Sequence, residues 1–96
     1  MDVTAGAGDA GEVIDPRGRE HQNRQLAAIL RRRIRDGRYP PGRVLPSEQQ
    51  LRDEFGISRN TARRAIEVLR DEGLAETVPG RGTYVVDQLP DEGEEP

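Results

Sequence analysis

Two short helical segments in the middle of the chain are joined by a tight turn that contains glycine. Ser47-Glu48-Gln49-Gln50 fits a capping box, in which the Ser hydroxyl and a Gln side chain satisfy backbone donors, so a helix is expected to begin there. Gly56 ends it after about two turns, and Ser58 is a good N-cap for a further helix, expected over 59–72, which Gly73 ends. Two helices that meet across so short a turn predict a helix-turn-helix unit.

An amphipathic helix is predicted ahead of this unit. From about residue 20 to 36, apolar residues recur at three- and four-residue spacing, and Gly37 is placed to cap the C-terminus. The helix after the turn has a comparable apolar stripe, made of Ala62, Ala65, Ile66 and Leu69. The three helices are therefore expected to share one aliphatic core.

The segment after the last helix predicts a small β hairpin. Two β-prone runs, 75–78 and 83–86, flank Pro79-Gly80-Arg81-Gly82, whose glycines suit a tight turn. Earlier in the chain, Arg43-Val44-Leu45 can form a very short strand. The fold class predicted from this order is mainly α with a small β hairpin, namely a winged helix-turn-helix of three helices plus a wing.

The charges divide the chain into three parts. Residues 1–17 are rich in Gly, Ala and acid and predict a disordered acidic arm, and the polar stretch 87–96 predicts a disordered acidic tail. Residues 18–86 are expected to form the winged-helix domain. Although the formal charge of the whole chain is −3, residues 17–86 hold all fifteen Arg residues and nine of the acidic ones. The middle of the chain is therefore basic enough to attract a polyanion such as DNA.

The composition argues against several classes of function. The chain has no Cys and a single His, His21, and half of its carboxylates lie in the two acidic ends without metal-ligand spacing. We therefore expect no metal, no cofactor and no enzymatic activity. No apolar run is long enough to span a membrane and no signal peptide is recognised, so a cytoplasmic location is expected.

The side chains at the start of the last helix suit the reading of DNA bases. A recognition helix enters the major groove with its N-terminus first, and this one opens with Arg59, Asn60, Thr61 and Arg63. Arg can pair with guanine through two hydrogen bonds and Asn can do so with adenine, whereas Thr61 and the backbone amides can hold phosphate. The sequence thus predicts a DNA-reading surface at this end of the helix, and the N-cap residue Ser58 is counted among its DNA contacts.

Arginine on an exposed helix face also has a simpler explanation, which is solvation and pairing with carboxylates of the same helix. We favour this explanation for Arg64 and Arg70. We favour contact with DNA for Arg59 and Arg63, because they precede most of the acidic residues of that helix.

The tip of the hairpin holds one arginine between two glycines. Gly80 and Gly82 would let the main chain approach a narrow groove while Arg81 projects, which suits the electronegative minor groove. Any hairpin turn favours glycine, so this pattern alone does not separate a binding role from a structural one.

Residues from about 22 to 86 resemble the N-terminal DNA-binding domain of the GntR family. The resemblance implies that Arg59, Asn60, Thr61 and Arg63 are recognition-helix contacts and that Gly80 and its neighbours form the wing contact. The residues that carry the pattern are Asp36-Gly37, Pro41-Gly42, Leu45-Pro46-Ser47-Glu48, Leu51, Ile57-Ser58-Arg59-Asn60-Thr61, Arg63, Ala65, Leu69, Glu72-Gly73-Leu74 and Gly80-Arg81-Gly82-Thr83.

The sequence departs from the family pattern at two positions of the expected interface. Gln49 stands at the start of the second helix, where many members have a DNA-contacting Arg. Arg64 follows Arg63 where Glu is usual. The preferred bases are therefore expected to differ from those of such members.

The resemblance further implies a sequence-specific transcription regulator that reads an inverted-repeat operator in double-stranded DNA. Typical members continue into an effector-binding and dimerising domain, for which ten residues after the wing leave no room. We therefore expect no small-molecule effector domain, and a monomer or weak dimer that pairs on DNA. The alternative is a winged-helix module that binds protein without direct DNA readout.

Overall fold

The computed structural model describes residues 12–18 and 20–90. Three α-helices precede an antiparallel hairpin of two strands, in the order expected of a winged helix-turn-helix, so the predicted fold class is confirmed. The elements are α1 (Gln22–Arg35), α2 (Glu48–Phe55), α3 (Arg59–Asp71), β1 (Ala75–Val78) and β2 (Gly82–Val85).

Side-chain caps fix the helix-turn-helix unit. The Ser47 hydroxyl accepts a hydrogen bond from the Gln50 N–H at 3.1 Å, and the Gln50 side chain accepts one from the Ser47 N–H at 2.8 Å, which confirms the capping box. Gly56 adopts the left-handed conformation, with φ of 68°, and ends α2. Ser58 caps α3, so only three residues separate the two helices.

The core lies between α1 and α3, and α2 and the hairpin close it. Each fully buried Leu or Ile contributes about 1.5 to 3 kcal/mol relative to an exposed position. Because α3 turns its apolar stripe inward, its opposite face is left to solvent. The largest fully buried side chains are those of Leu26, Leu30, Ile34, Leu51, Leu69, Leu74 and Val85, and Ala62, Ala65 and Ile66 complete the predicted stripe of α3.

The wing is tied to the body of the domain at its base. Val44 forms a β bridge with Tyr84, and the Leu45 N–H donates to the Thr83 carbonyl at 2.7 Å, so the short strand predicted around Val44 is present as a single bridge. Gly82 pairs with Val78 and already belongs to β2. The second strand therefore begins one residue earlier than the predicted run 83–86.

Residues at both ends of the described range pack against the domain. Ile14 and Leu89 contact the core, the Asp15 N–H donates to the Gln25 side chain at 2.7 Å, and the Pro90 carbonyl accepts from the Arg35 guanidinium at 2.6 Å. The structure therefore gives residues 12–17 and 87–90 defined contacts where the sequence predicts disorder, because each segment supplies one apolar residue that the core can bury. The predictions for residues 1–11 and 91–96 lie outside the described residues.

Arg33 is a buried cation that joins four parts of the chain. It is 5% exposed, and its guanidinium donates to the Tyr39 hydroxyl at 2.6 Å and to the carboxylates of Glu54 and Glu12 at 2.8 and 2.9 Å. The same group lies 5.3 Å from the centroid of the Phe55 ring. Hydrogen bonding to Arg33 lowers the pKa of Glu12. Arg33 thus fixes α1 against α2 and against the segment that precedes α1.

Candidate nucleic-acid interface

The start of α3 is held by its own cap. The Ser58 hydroxyl accepts from the Thr61 N–H at 3.1 Å and donates to the Thr61 hydroxyl at 3.0 Å, and Thr61 is half-buried. Both hydrogen-bonding directions of the Ser58 hydroxyl are therefore used within the helix. Ser58 positions the first turn of α3, and the Thr61 hydroxyl proton remains available to an acceptor outside the protein.

The other predicted contacts on α3, namely Arg59, Asn60 and Arg63, are exposed. Arg63 donates to the Asn60 side-chain oxygen, and its Nε lies 3.9 Å from a carboxylate oxygen of Glu67. Both members of the Arg63–Glu67 pair are about half exposed, so the pair contributes only about 0.3–0.5 kcal/mol and can exchange for another partner. The Arg59 side chain has no hydrogen-bond or ion-pair partner within residues 12–18 and 20–90.

The pairing expected for Arg64 and Arg70 is not found. Neither side chain forms an ion pair with a carboxylate of the described chain, and Glu67 lies instead beside Arg63. Glu67 is four residues from Arg63 and three residues from both Arg64 and Arg70, and all three spacings make neighbours on a helix. Its one ion pair among the described residues is the one with Arg63. Arg64 and Arg70 are thus exposed cations, and Arg64 lies beside Asn60 and Thr61.

Gln49 and Arg59 line one shallow depression of about 420 Å³. Gln49 lies on the first turn of α2, where its amide donates to the Asp53 carboxylate at 2.9 Å and its oxygen accepts from Arg52 at 3.3 Å. These contacts hold the amide at the surface. The structure therefore brings Gln49 close to Arg59 of α3.

The wing tip is a tight turn that leaves its arginine exposed. The Arg81 N–H donates to the Val78 carbonyl at 2.9 Å, and Gly80, at the third position of this turn, has φ of 78°. Pro followed by a Gly of positive φ is typical of a type II turn. A Cβ at Gly80 would meet nothing within 4 Å, so the dihedral angle and not the space requires glycine there. The Arg81 side chain has no partner in the described part of the chain.

The wing tip and the start of α3 border the same end of α2. A second depression, of about 340 Å³, is lined by Arg81 and Gly82 on the wing and by Ser47 and Glu48 at the start of α2. Ser47 and Glu48 also line the depression that holds Gln49 and Arg59. The predicted contacts on α2, α3 and the wing are therefore neighbours around one surface.

Two further observations bear on other classes of function. Residues 12–18 and 20–90 contain no group of three or more His, Asp or Glu side chains placed to hold a metal ion. Over the same residues, no helix has the length and apolar character needed to cross a bilayer.

The chain is similar to known regulators over most of the described domain. The family model described as "Bacterial regulatory proteins, gntR family" matches residues 22–85. The mannosyl-D-glycerate transport/metabolism system repressor MngR of Escherichia coli is 42% identical over 65 residues, which are 68% of this chain and 27% of the repressor. The HTH-type transcriptional repressor NagR of Bacillus subtilis is 43% identical over 61 residues, which are 64% of this chain and 25% of that protein. The chain thus spans about a quarter of the length of these curated relatives.

Solved structures with a similar fold include one bound to DNA. AraR(DBD) in complex with operator ORX1 superposes with a TM-score of 0.64 at 36% identity, over 67% of this chain and 77% of that one. YtrA from Sulfolobus acidocaldarius, a GntR-family transcription factor, superposes with a TM-score of 0.71 at 29% identity, over 79% and 80% of the two chains.

Proposed function

The chain belongs to the gntR family of bacterial regulatory proteins, and from that premise we propose that it regulates transcription by binding a specific site in double-stranded DNA. The observation that carries this proposal is the first turn of α3, where base-reading side chains are exposed and Arg59 has no partner among the described residues. The operator complex of the similar AraR domain supports it. Bacterial DNA lies in the cytoplasm, which is therefore the proposed location.

In this proposal α3 lies in the major groove and its N-terminal turn meets the base edges. Arg59 and Arg63 pair with guanine and Asn60 with adenine, because these side chains match the donor and acceptor patterns of those bases. The backbone amides of the first turn, which the Ser58 cap orients, and the Thr61 hydroxyl bind phosphate.

Gln49 and the wing complete the proposed contact surface. Gln49 lies next to Arg59 and presents an amide, which can donate to phosphate or pair with adenine. The exposed Arg81 enters the minor groove beside the site that α3 reads. Gly80 and Gly82 allow the main chain of the wing tip to approach the DNA closely.

We further propose that two copies bind an inverted repeat and that they assemble on the DNA. Among the described residues, the large hydrophobic side chains that are exposed are Val13 and Val44. Two valine side chains provide little apolar surface for an obligate interface, which commonly buries more than about 2,000 Å². The exposed side of α1 is the surface proposed for a weak contact between the copies, because it is not the reading helix.

We expect sedimentation of the free protein to show a monomer or a weak dimer. A duplex with the full inverted repeat should nevertheless bind more tightly than one with a single half-site, because the DNA brings the two copies to a high effective concentration. A titration of both duplexes measures this difference. A tight dimer without DNA, or equal affinity for the full site and the half-site, would contradict the proposed assembly.

Selection of bound duplexes from random-sequence DNA tests the proposed function, and we refer to the recovered sequence as the selected duplex. Its affinity should fall steeply as salt rises, since each neutralised phosphate releases counterions. A protein-interaction module without DNA readout would select no sequence, and its binding to a partner would depend less on salt. Failure to recover any preferred sequence would refute the proposed function.

A further inference from the structure

An open groove of about 580 Å³ separates the N-terminal turns of α1 and α3. Asn23 and Arg24 of α1 line one side, and Asn60, Thr61 and Arg64 of α3 line the other. Asn60 and Thr61 are among the proposed DNA contacts. The groove is therefore continuous with the proposed reading surface, on the side that faces α1.

The groove carries two cations and no acid among its lining residues. Arg24 and Arg64 are both exposed and form no ion pair within the described chain. Arg24 also borders a neighbouring depression that contains Glu20 and Glu72. The Glu72 carboxylate is held by Arg31 through two hydrogen bonds of 2.6 and 2.8 Å, and Glu20 forms no ion pair with Arg24 within the described chain. Neither carboxylate therefore neutralises Arg24 through a direct ion pair.

The backbone at the edge of the groove adds to this positive potential. His21, the N-cap of α1, makes no side-chain cap hydrogen bond, and the first turn of α1 contains no acidic residue. The dipole of a helix places partial positive charge at such an end, and its free N–H groups can donate to an anion. The two arginines carry the main charge, and the first residues of α1 line the same groove.

We propose that Arg24 and Arg64 bind the phosphate backbone of the DNA beside the bases that α3 reads. This proposal rests on the proposed function. The groove is open to solvent, so it does not enclose a small ligand. It can instead receive a phosphate of a DNA strand that the proposed contacts on α3 hold in place. Arg64, for which the sequence favours a solvated position on the helix surface, is in this proposal part of the DNA-binding surface. Arg24 extends that surface onto α1.

Fluorescence anisotropy with the selected duplex and with a scrambled duplex, at several salt concentrations, tests this assignment. Arg24→Ala and Arg64→Ala should each weaken binding to both duplexes by the same factor, roughly three- to tenfold. The slope of log affinity against log salt should become shallower by about 0.9 for each lost contact. Arg70→Ala is the matched control, because it removes the same charge from an exposed position at the other end of α3.

Replacement by lysine separates phosphate binding from base reading. Arg64→Lys should retain most of the affinity and the salt slope, because a point charge is enough to bind a phosphate. If Arg64 instead made a bidentate contact with guanine, Lys could not replace it and the affinity would fall. A salt slope unchanged in both Ala variants, or a loss confined to the selected duplex, would overturn the proposal. If the wild-type protein itself showed no preferred sequence, the proposed function would fail instead, and the two failures are distinguishable.

Discussion

Replacing Arg33 with Met is expected to lower the free energy of unfolding by about 3 kcal/mol. Met keeps most of the aliphatic bulk but removes the cation that the carboxylates of Glu12 and Glu54 both contact. Glu12 then keeps only its ion pair with the exposed Arg38, at 2.8 Å. The Glu54 side chain is 46% exposed, so water relieves part of the cost and the expected value lies at the low end for a broken buried pair. Urea denaturation followed by circular dichroism measures the change as a lower midpoint at an unchanged m value.

Arg31 provides a matched control on the same helix. It also pairs with a carboxylate, that of Glu72, but the two side chains are 38% and 36% exposed. Solvent screens such a pair, so Arg31→Met should cost no more than about 1 kcal/mol. Equal destabilisation by the Arg31 and Arg33 variants would show that burial of the Arg33 cluster adds nothing.

The effect of Arg33→Met should also depend on pH. Arg33 lowers the pKa of the Glu12 carboxyl in the folded state. Such a group contributes stability above its ordinary pKa, of about 4.3, and the contribution is lost as the pH falls through the lowered value. The difference in unfolding free energy between wild type and variant should therefore shrink below about pH 4. A difference that stayed constant into this range would mean that the lost packing of Arg33, and not its charge, causes the destabilisation.

Arg59→Ala and Arg63→Ala are each expected to remove about 1–3 kcal/mol of discrimination between the selected and the scrambled duplex, which is roughly a five- to 150-fold loss. Each side chain would otherwise pair with a guanine through two hydrogen bonds. Both are exposed, so the fold and its helical circular dichroism should remain unchanged. Binding titrations with the two duplexes at one salt concentration give the ratio of affinities.

Arg70→Ala again serves as the control, because its site preference should equal that of the wild type. Arg70→Ala removes one positive charge from α3, as the other two variants do. A loss of discrimination that is seen only in the Arg59 and Arg63 variants therefore comes from base reading and not from the general loss of charge. Wild-type discrimination in both the Arg59 and the Arg63 variant would show that these residues do not read bases, and the major-groove placement of α3 would have to be abandoned.

Local signals explain why the helix-turn-helix and the wing could be predicted from the sequence. The capping box at Ser47, the left-handed Gly56 and the cap at Ser58 all act within four residues, and the spacing of apolar residues identifies the buried face of α3. The sequence predicts the start of β2 one residue too late, because Gly82 is a residue type typical of turns. In the structure it is paired with Val78.

Contacts between distant segments explain what could not be predicted. Glu12 lies in a stretch whose composition predicts disorder, yet its carboxylate binds Arg33, which is 21 residues away. One signal was present in the sequence: Arg33 follows Leu26 by seven residues and Leu30 by three, so it lies on the apolar stripe of α1. A charge at such a position requires buried partners, but the spacing does not identify them.

The hydrogen bond between Arg63 and Asn60 has a consequence for the DNA sequences that the protein accepts. Asn60 needs its side-chain oxygen to recognise adenine, and Arg63 donates to that same oxygen in the free protein. When one of the two side chains turns toward its base, it changes the hydrogen bonds open to the other. Contributions from side chains in direct contact are generally not additive. In the proposed complex, the two base pairs that these residues read therefore form one correlated unit, and a table of independent preferences for each position would describe the operator incompletely.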